Sequence, residues 1–221
     1  RPEQILPGRP NPIPTAATHF VNGNALKPPF PAGLEEAVFG LGCFWGAERK
    51  FWQTPGVWST SAGYGGGTTP NPTYQQVTNG GTGHIEVVQV RYDPAKVTYE
   101  RLLEVYWKNV DPYDADGQFC DRGESYTTAI FTHTPEQKKL AEASKASLAT
   151  SGPFKQPIAT VVRDAGPFTA AEDYHQDYLT LHPNQPYIVF NDLPKIENLK
   201  KIFAENYIEK PTLVKNARAT N

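Results

Sequence analysis

Short apolar runs and segments of helical spacing alternate along residues 37–162, an order that predicts an α+β chain. Two further observations narrow this. The stretch Ile85-Glu-Val-Val-Gln-Val-Arg-Tyr92 alternates apolar with polar side chains, as a strand with one face in a core must. The 221 residues carry no internal repeat and suffice for one sizeable core. The expected architecture is a two-layer sandwich: a ferredoxin-like mixed sheet with packed helices and extended terminal segments.

Each element has a local reason. Residues 1–35 are crowded with proline, as in Pro10-Asn-Pro-Ile-Pro14 and Pro28-Pro-Phe-Pro31, and read as an extended arm that wraps the core or is partly disordered. Ala37-Val-Phe-Gly-Leu41 is a buried strand, and a helix follows from about Phe44 to Gln53, so Cys43 falls at a strand-to-helix junction. Val57 to Tyr64 is a second strand, ending in Gly63-Tyr-Gly-Gly-Gly67 and a proline-bearing loop through Asn71-Pro-Thr-Tyr74. After the strand at 85–92, residues 98–109 place apolar side chains at helical spacing behind Thr98 as N-cap. A loop rich in Asp and Gly carries Cys120 into a strand at Tyr126–Phe131. Pro135 opens a helix to about Leu148, and Ile158–Val162 is a further strand. Residues 186–207 read as an extended segment and a helix. One domain is expected over 36–210, with a tail at 211–221.

Composition excludes several classes of function. A formal charge of −2 and the lack of a basic cluster argue against a nucleic-acid partner. No apolar run approaches the length of a membrane span, and the N-terminus lacks a signal-peptide layout. The expectation is therefore a monomer that engages neither nucleic acid nor membrane. The default compartment is the cytoplasm, although the absence of any methionine and the non-Met start leave trimming, processing or export open. Two widely separated cysteines form neither a zinc ribbon nor a CxxC pair. Their role is inert packing or thiol chemistry.

At the start of a helix the unpaired N–H groups and the dipole favour a thiolate, the nucleophilic form of cysteine. Cys43 thus has two readings from the pattern, a nucleophile or a small buried apolar residue. Glu86 is either a desolvated acid or a solvated strand glutamate. Tyr74 and Tyr126 taken singly are ordinary packing residues, and Asp121 before Arg-Gly reads as a turn. His84 and His175 have no second metal ligand at suitable spacing and are expected to be satisfied structural histidines, with no metal site. The glycines at 63 and 65–67 are followed by no GK[ST], which argues for close backbone approach or tight turning instead of phosphate binding.

Six motifs, "GCFWGAE", "GYGGG", "NPTY", "TGHIEVV", "FCDRGESY" and "AEDYHQ", stand in the order found in peptide methionine sulfoxide reductases of the A type, and the chain resembles that family over roughly residues 36–180. The resemblance implies an α+β enzyme that reduces the S epimer of methionine sulfoxide, free or in proteins. It implies that Cys43 attacks the sulfoxide sulfur while Phe44 and Trp45 wall the methyl group. It makes Glu86 the proton donor, Tyr74 and Tyr126 hydrogen-bond donors to the sulfoxide oxygen, and Asp121 an acid that orders the pocket. Attack leaves a sulfenic acid, which a second thiol must condense with. Many family members carry resolving cysteines in a glycine-rich tail. This tail has none, so Cys120 is the internal candidate, with a structural role as its alternative. No bound cofactor is expected, and thioredoxin or another thiol such as glutathione is the expected reductant. The competing readings are a thiol peroxidase and a non-catalytic methionine- or peptide-binding module.

Overall fold

A computed structural model describes residues 6–151 and 156–186. The extended segment and helix expected beyond Pro186, and the 211–221 tail, lie outside the described residues. The strands are β1 (Glu35–Leu41), β2 (Val57–Gly65), β3 (Ile85–Tyr92), β4 (Gly117–Gln118), β5 (Asp121–Arg122), β6 (Thr128–Thr132), β7 (Val161–Asp164) and β8 (Thr169–Ala170). The α-helices are α1 (Phe44–Trp52), α2 (Tyr74–Thr78), α3 (Tyr99–Trp107), α4 (Pro135–Ser151) and α5 (Tyr178–Leu181).

Six strands form one sheet in the order β7-β6-β1-β3-β2-β8. The central four pair antiparallel, and β3 lies between β1 and β2, the two strands that α1 connects. This is the split β-α-β arrangement of ferredoxin-like folds. β7 adds to β6 in parallel and β8 to β2 antiparallel, which makes the sheet mixed.

Alternation along the strands decides what lies on each face. Ala37, Phe39 and Leu41 of β1, Val88, Val90 and Tyr92 of β3 and Ile130 of β6 meet Phe44, Ala47 and Phe51 of α1 and Leu102, Leu103 and Tyr106 of α3 in the main core. The Phe39 ring stacks on Phe51 at 5.0 Å and on Tyr106 at 5.4 Å. Fully burying each such ring contributes about 1.5–3 kcal/mol. On the opposite face a smaller cluster joins Val38, Ile85, Val87, Ala129 and Phe131, with Phe168 against it. Glu86 falls in register with Val88 and Val90, so it points into the helix layer.

Helix starts follow local chemistry. Thr98 Oγ1 accepts the Arg101 N–H at 3.2 Å. The unexpected α2 begins with a capping box, in which Thr73 Oγ1 accepts the Gln76 N–H and Gln76 Oε1 accepts the Thr73 N–H. β7 starts later than the expected strand at Ile158 because the Ala159 and Thr160 N–H groups donate to Pro112 O, at 2.7 and 3.3 Å. β6 starts later than Tyr126 because Glu124–Tyr126 is a 3₁₀ turn, its last N–H donating to Gly123 O.

The arm is tied down along its described length. Arg9 N–H donates to Pro70 O, Ala16 N–H to Asp173 Oδ1 and Phe20 N–H to Asp177 Oδ2. Asn22 and Asn24 both donate their side-chain N–H to Trp58 O.

Candidate active site

Gly42 and Cys43 make the turn from β1 into α1. Gly42 adopts φ +82°, and a Cβ there would lie 2.6 Å from Gln118 Cβ, so only glycine lets the β4–β5 hairpin close against this turn. Cys43 is the half-buried N-cap residue of α1. The next N–H, that of Phe44, donates to Glu86 Oε2 at 3.0 Å. Nucleophile candidate and acid candidate are thereby joined through one peptide unit.

Glu86 is 1% exposed. Burial pushes its pKa up to about 8; the Phe44 N–H opposes this, and the charge of Asp121 adds to it. A carboxyl group in that range holds a proton at neutral pH and can release it. Tyr74, the first residue of α2, and Tyr126, at the end of the 3₁₀ turn, are half-buried and hydrogen-bonded to each other. Burial, then the charge of Glu86, pushes Tyr74 up to about 12 and raises Tyr126 as well. The Cys43 charge acts on both phenols. Six elements distant in sequence therefore converge: the α1 start, β3, α2, the 3₁₀ turn, β5 and the segment before α5.

Phe44 is buried toward the core, against Tyr64 and His175. Trp45 remains half-buried and stacks on Tyr178, with centroids 4.0 Å apart and planes within 13°. Asp121 opens β5 opposite Gln118. Cys120 and Phe119 form the two-residue tip between them, Phe119 at φ +55° and 52% exposed, Cys120 exposed. No disulfide joins Cys43 to Cys120 in this structure.

The two histidines set aside from sequence separate. His84 Nδ1 accepts the Gly67 N–H and Nε2 faces Thr69 O at 2.8 Å, so both nitrogens serve the fold. Gly67 is required for that approach, since a Cβ there would sit 2.3 Å from the His84 backbone nitrogen. His175 instead lies inside the candidate site. Its Nδ1 accepts the Trp45 indole N–H at 2.9 Å, and its ring packs on Phe44, Trp45, Tyr74 and Tyr174. Burial pushes its pKa down to about 4, so at neutral pH it is an uncharged acceptor that fixes the indole. The sequence signals for it are its place in the motif Ala171-Glu-Asp-Tyr-His-Gln176 and between Tyr174 and Tyr178, and neither assigns the ring a partner.

Comparison with known proteins assigns the chemistry. Residues 35–207 match the family model described as peptide methionine sulfoxide reductase. A peptide methionine sulfoxide reductase MsrA of Rhodospirillum centenum is 57% identical over 80% of this chain and 82% of its own length, and one of Methylobacterium nodulans is 53% identical over 82% and 84%. Among solved structures, methionine sulfoxide reductase A of Corynebacterium diphtheriae superposes with a TM-score of 0.74 at 37% identity, covering 84% of this chain and 91% of that one. With more than half of its residues shared across four-fifths of its length, and with the same fold beneath them, the chain belongs to the peptide methionine sulfoxide reductase family.

Proposed function

We propose that this methionine sulfoxide reductase acts on the S epimer, free or within proteins, with Cys43 as nucleophile and Glu86 as proton donor. The observation that carries the reading is the Glu86 carboxyl, whose pKa burial pushes up to about 8, bonded to the N–H that follows Cys43. Trp45 and Phe44 wall the substrate methyl group. Tyr74 and Tyr126 turn their paired phenols to the sulfoxide oxygen, which gains basicity as its bond to sulfur weakens. Asp121 orders the pocket from its rim and, through its charge, helps Glu86 keep its proton.

The Cys43 sulfur attacks the sulfoxide sulfur, the oxygen takes a proton from Glu86 and passes to Cys43, and the products are methionine and a Cys43 sulfenic acid. The Cys120 thiol condenses with that sulfenic acid, forming a disulfide and releasing water. An external dithiol of the thioredoxin type reduces the disulfide and returns both thiols; another small thiol can replace it. Support for Cys120 comes from the hairpin that carries it, whose Gln118 abuts Gly42 next to Cys43. The enzyme works as a monomer in the cytoplasm, where such dithiols are kept reduced. No helix among the described residues is long and apolar enough to cross a membrane.

Incubation with a racemic methyl sulfoxide and dithiothreitol, followed by chiral analysis, should leave the R epimer. Cys43→Ser should abolish reduction with the fold intact, and substantial turnover by that variant would remove Cys43 from the mechanism. Cys120→Ser should form product normally in the first turnover and then stop near one equivalent in a thioredoxin system. Unimpaired multiple turnover would assign Cys120 to packing instead.

A further inference from the structure

The arm delivers one imidazole into the interior. His19 is fully buried, on a turn closed by the His19 N–H on Asn24 O and the Gly23 N–H on His19 O, both at 2.8 Å. Its Nδ1 accepts the backbone N–H of Val21 at 3.1 Å and that of Asn22 at 3.4 Å. A lone pair used in this way places the ring proton on Nε2. Nε2 faces Thr60 Oγ1 at 2.8 Å, Asp177 Oδ1 at 3.3 Å and Glu48 Oε1 at 4.0 Å.

His19, Glu48 and Asp177 offer ligand atoms within 4.8 Å of one another, the grouping a metal ion would need. The tautomer argues against metal. A cation would require the Nε2 lone pair, and the displaced proton would then point from Nδ1 at two N–H donors. The same geometry, together with burial, resists protonation to imidazolium, and the pKa is pushed down to about 3. The two acidic neighbours therefore face a neutral donor in a hydrogen-bonded clasp.

The clasp reaches the substrate wall by a short route. Thr60 Oγ1 donates to Glu48 Oε1 at 3.1 Å, and Asp177 N–H donates to Glu48 Oε2 at 2.8 Å. Glu48 lies on α1, the helix that starts beside Cys43. Asp177 adopts φ +54°, ψ +26°, a left-handed backbone that is strained for a non-glycine residue and persists only where its surroundings hold it. The next residue is Tyr178, stacked on Trp45.

We propose that His19 is a positioning residue of the active site: through Thr60, Glu48 and Asp177 it sets the stacking of Tyr178 on Trp45, and with it the fit of the sulfoxide pocket. This rests on Trp45 being the pocket wall. His19→Leu keeps the volume and removes the donor. In the full chain it is expected to raise KM for a methyl aryl sulfoxide about tenfold, with the first-turnover rate at saturating substrate within about twofold of the parent. His19→Gln carries an amide N–H that reaches the Thr60 and Asp177 oxygens and should recover most of the parental KM. Thr60→Val cuts the link to Glu48 at constant volume, serves as the second variant where a His19 variant fails to fold, and should raise KM about threefold. A lowered melting temperature with parental KM in every folded variant would overturn the proposal and leave the clasp purely structural. Cys43→Ser, assayed in parallel, separates the two ideas: if it is inactive while the other variants keep parental KM, only the role of His19 falls, whereas an active Cys43→Ser removes the pocket reading itself.

Discussion

Glu48 on α1 and Glu86 on β3 are equally buried, at 1% exposure each, yet their oxygens meet opposite surroundings. Glu48 accepts a hydroxyl on Oε1 and a backbone N–H on Oε2. Glu86 accepts the Phe44 N–H, and the charge that reaches it is that of another acid, Asp121. Donors on both oxygens commit a carboxyl group to holding structure. A carboxyl with fewer donors, buried beside an acid, keeps its proton and has one to give. Depth of burial does not distinguish structural from chemical acids; the tally of donors does.

The largest effect should come from the acid that holds a proton. Glu86→Gln should bind substrate but slow the sulfenate-forming step by about 10²–10⁴-fold at neutral pH, the usual worth of a general acid. A single-turnover rate equal to the parent's would refute the assignment. In the parent that rate should fall as pH rises past about 8, where Glu86 loses its proton.

Stability should show the same group from the other side. The folded state holds the Glu86 proton more tightly than the unfolded chain, so the stability drawn from it is complete below about pH 4.5 and is lost as pH rises to about 8. The loss should amount to about 3–5 kcal/mol. Denaturant midpoints at pH 5 and pH 8 should differ in the parent and converge in Glu86→Gln; equal slopes in both proteins would contradict the raised pKa.

Tyr126→Phe should slow the first turnover about ten- to hundredfold by removing a donor from the developing hydroxyl. The double variant with Tyr74→Phe should lose less than the product of the single losses, because the two phenols bond to each other. Strictly multiplicative losses would mean that they act independently.

Smallest in rate should be Glu48→Gln. It should destabilise the fold by about 1–3 kcal/mol, since an amide N–H replaces one acceptor in a set of fixed donors. Its first-turnover rate at saturating substrate should stay within about threefold of the parent. A hundredfold loss there would erase the contrast between the two glutamates.

Short periods place two residues of this site, and only the motifs shared with the family bring in the others. The change from a two-residue to a helical period at Leu41–Phe44 places Cys43 at a helix start, and the alternation of β3 places Glu86 on the face of Val88 and Val90. Nothing local brings Tyr74 to Tyr126, since one opens a five-residue helix and the other ends a 3₁₀ turn behind a hairpin. Their meeting is a product of the sheet order. His175 read as structural because its acceptor role depends on the orientation of an indole 130 positions away. His19 gives no local sign in the proline-rich arm, because its partners Thr60 and Asp177 are distant in sequence.

The arm's bonds to Asp173 and Asp177 each span 157 positions. On a ribosome, the arm is therefore made well before the residues that hold it. The β1, β3 and β6 strands can pair and bury their shared core once the chain has grown past Thr132, while the turn bearing His19 still has no Asp177 to hold. Closing so long a loop adds little entropy beyond a shorter one, but it cannot begin before both ends exist. The clasp thus waits for the approach to α5, and a nascent fragment that stops before Asp177 carries Cys43 and Glu86 while His19 lacks the carboxylate it faces.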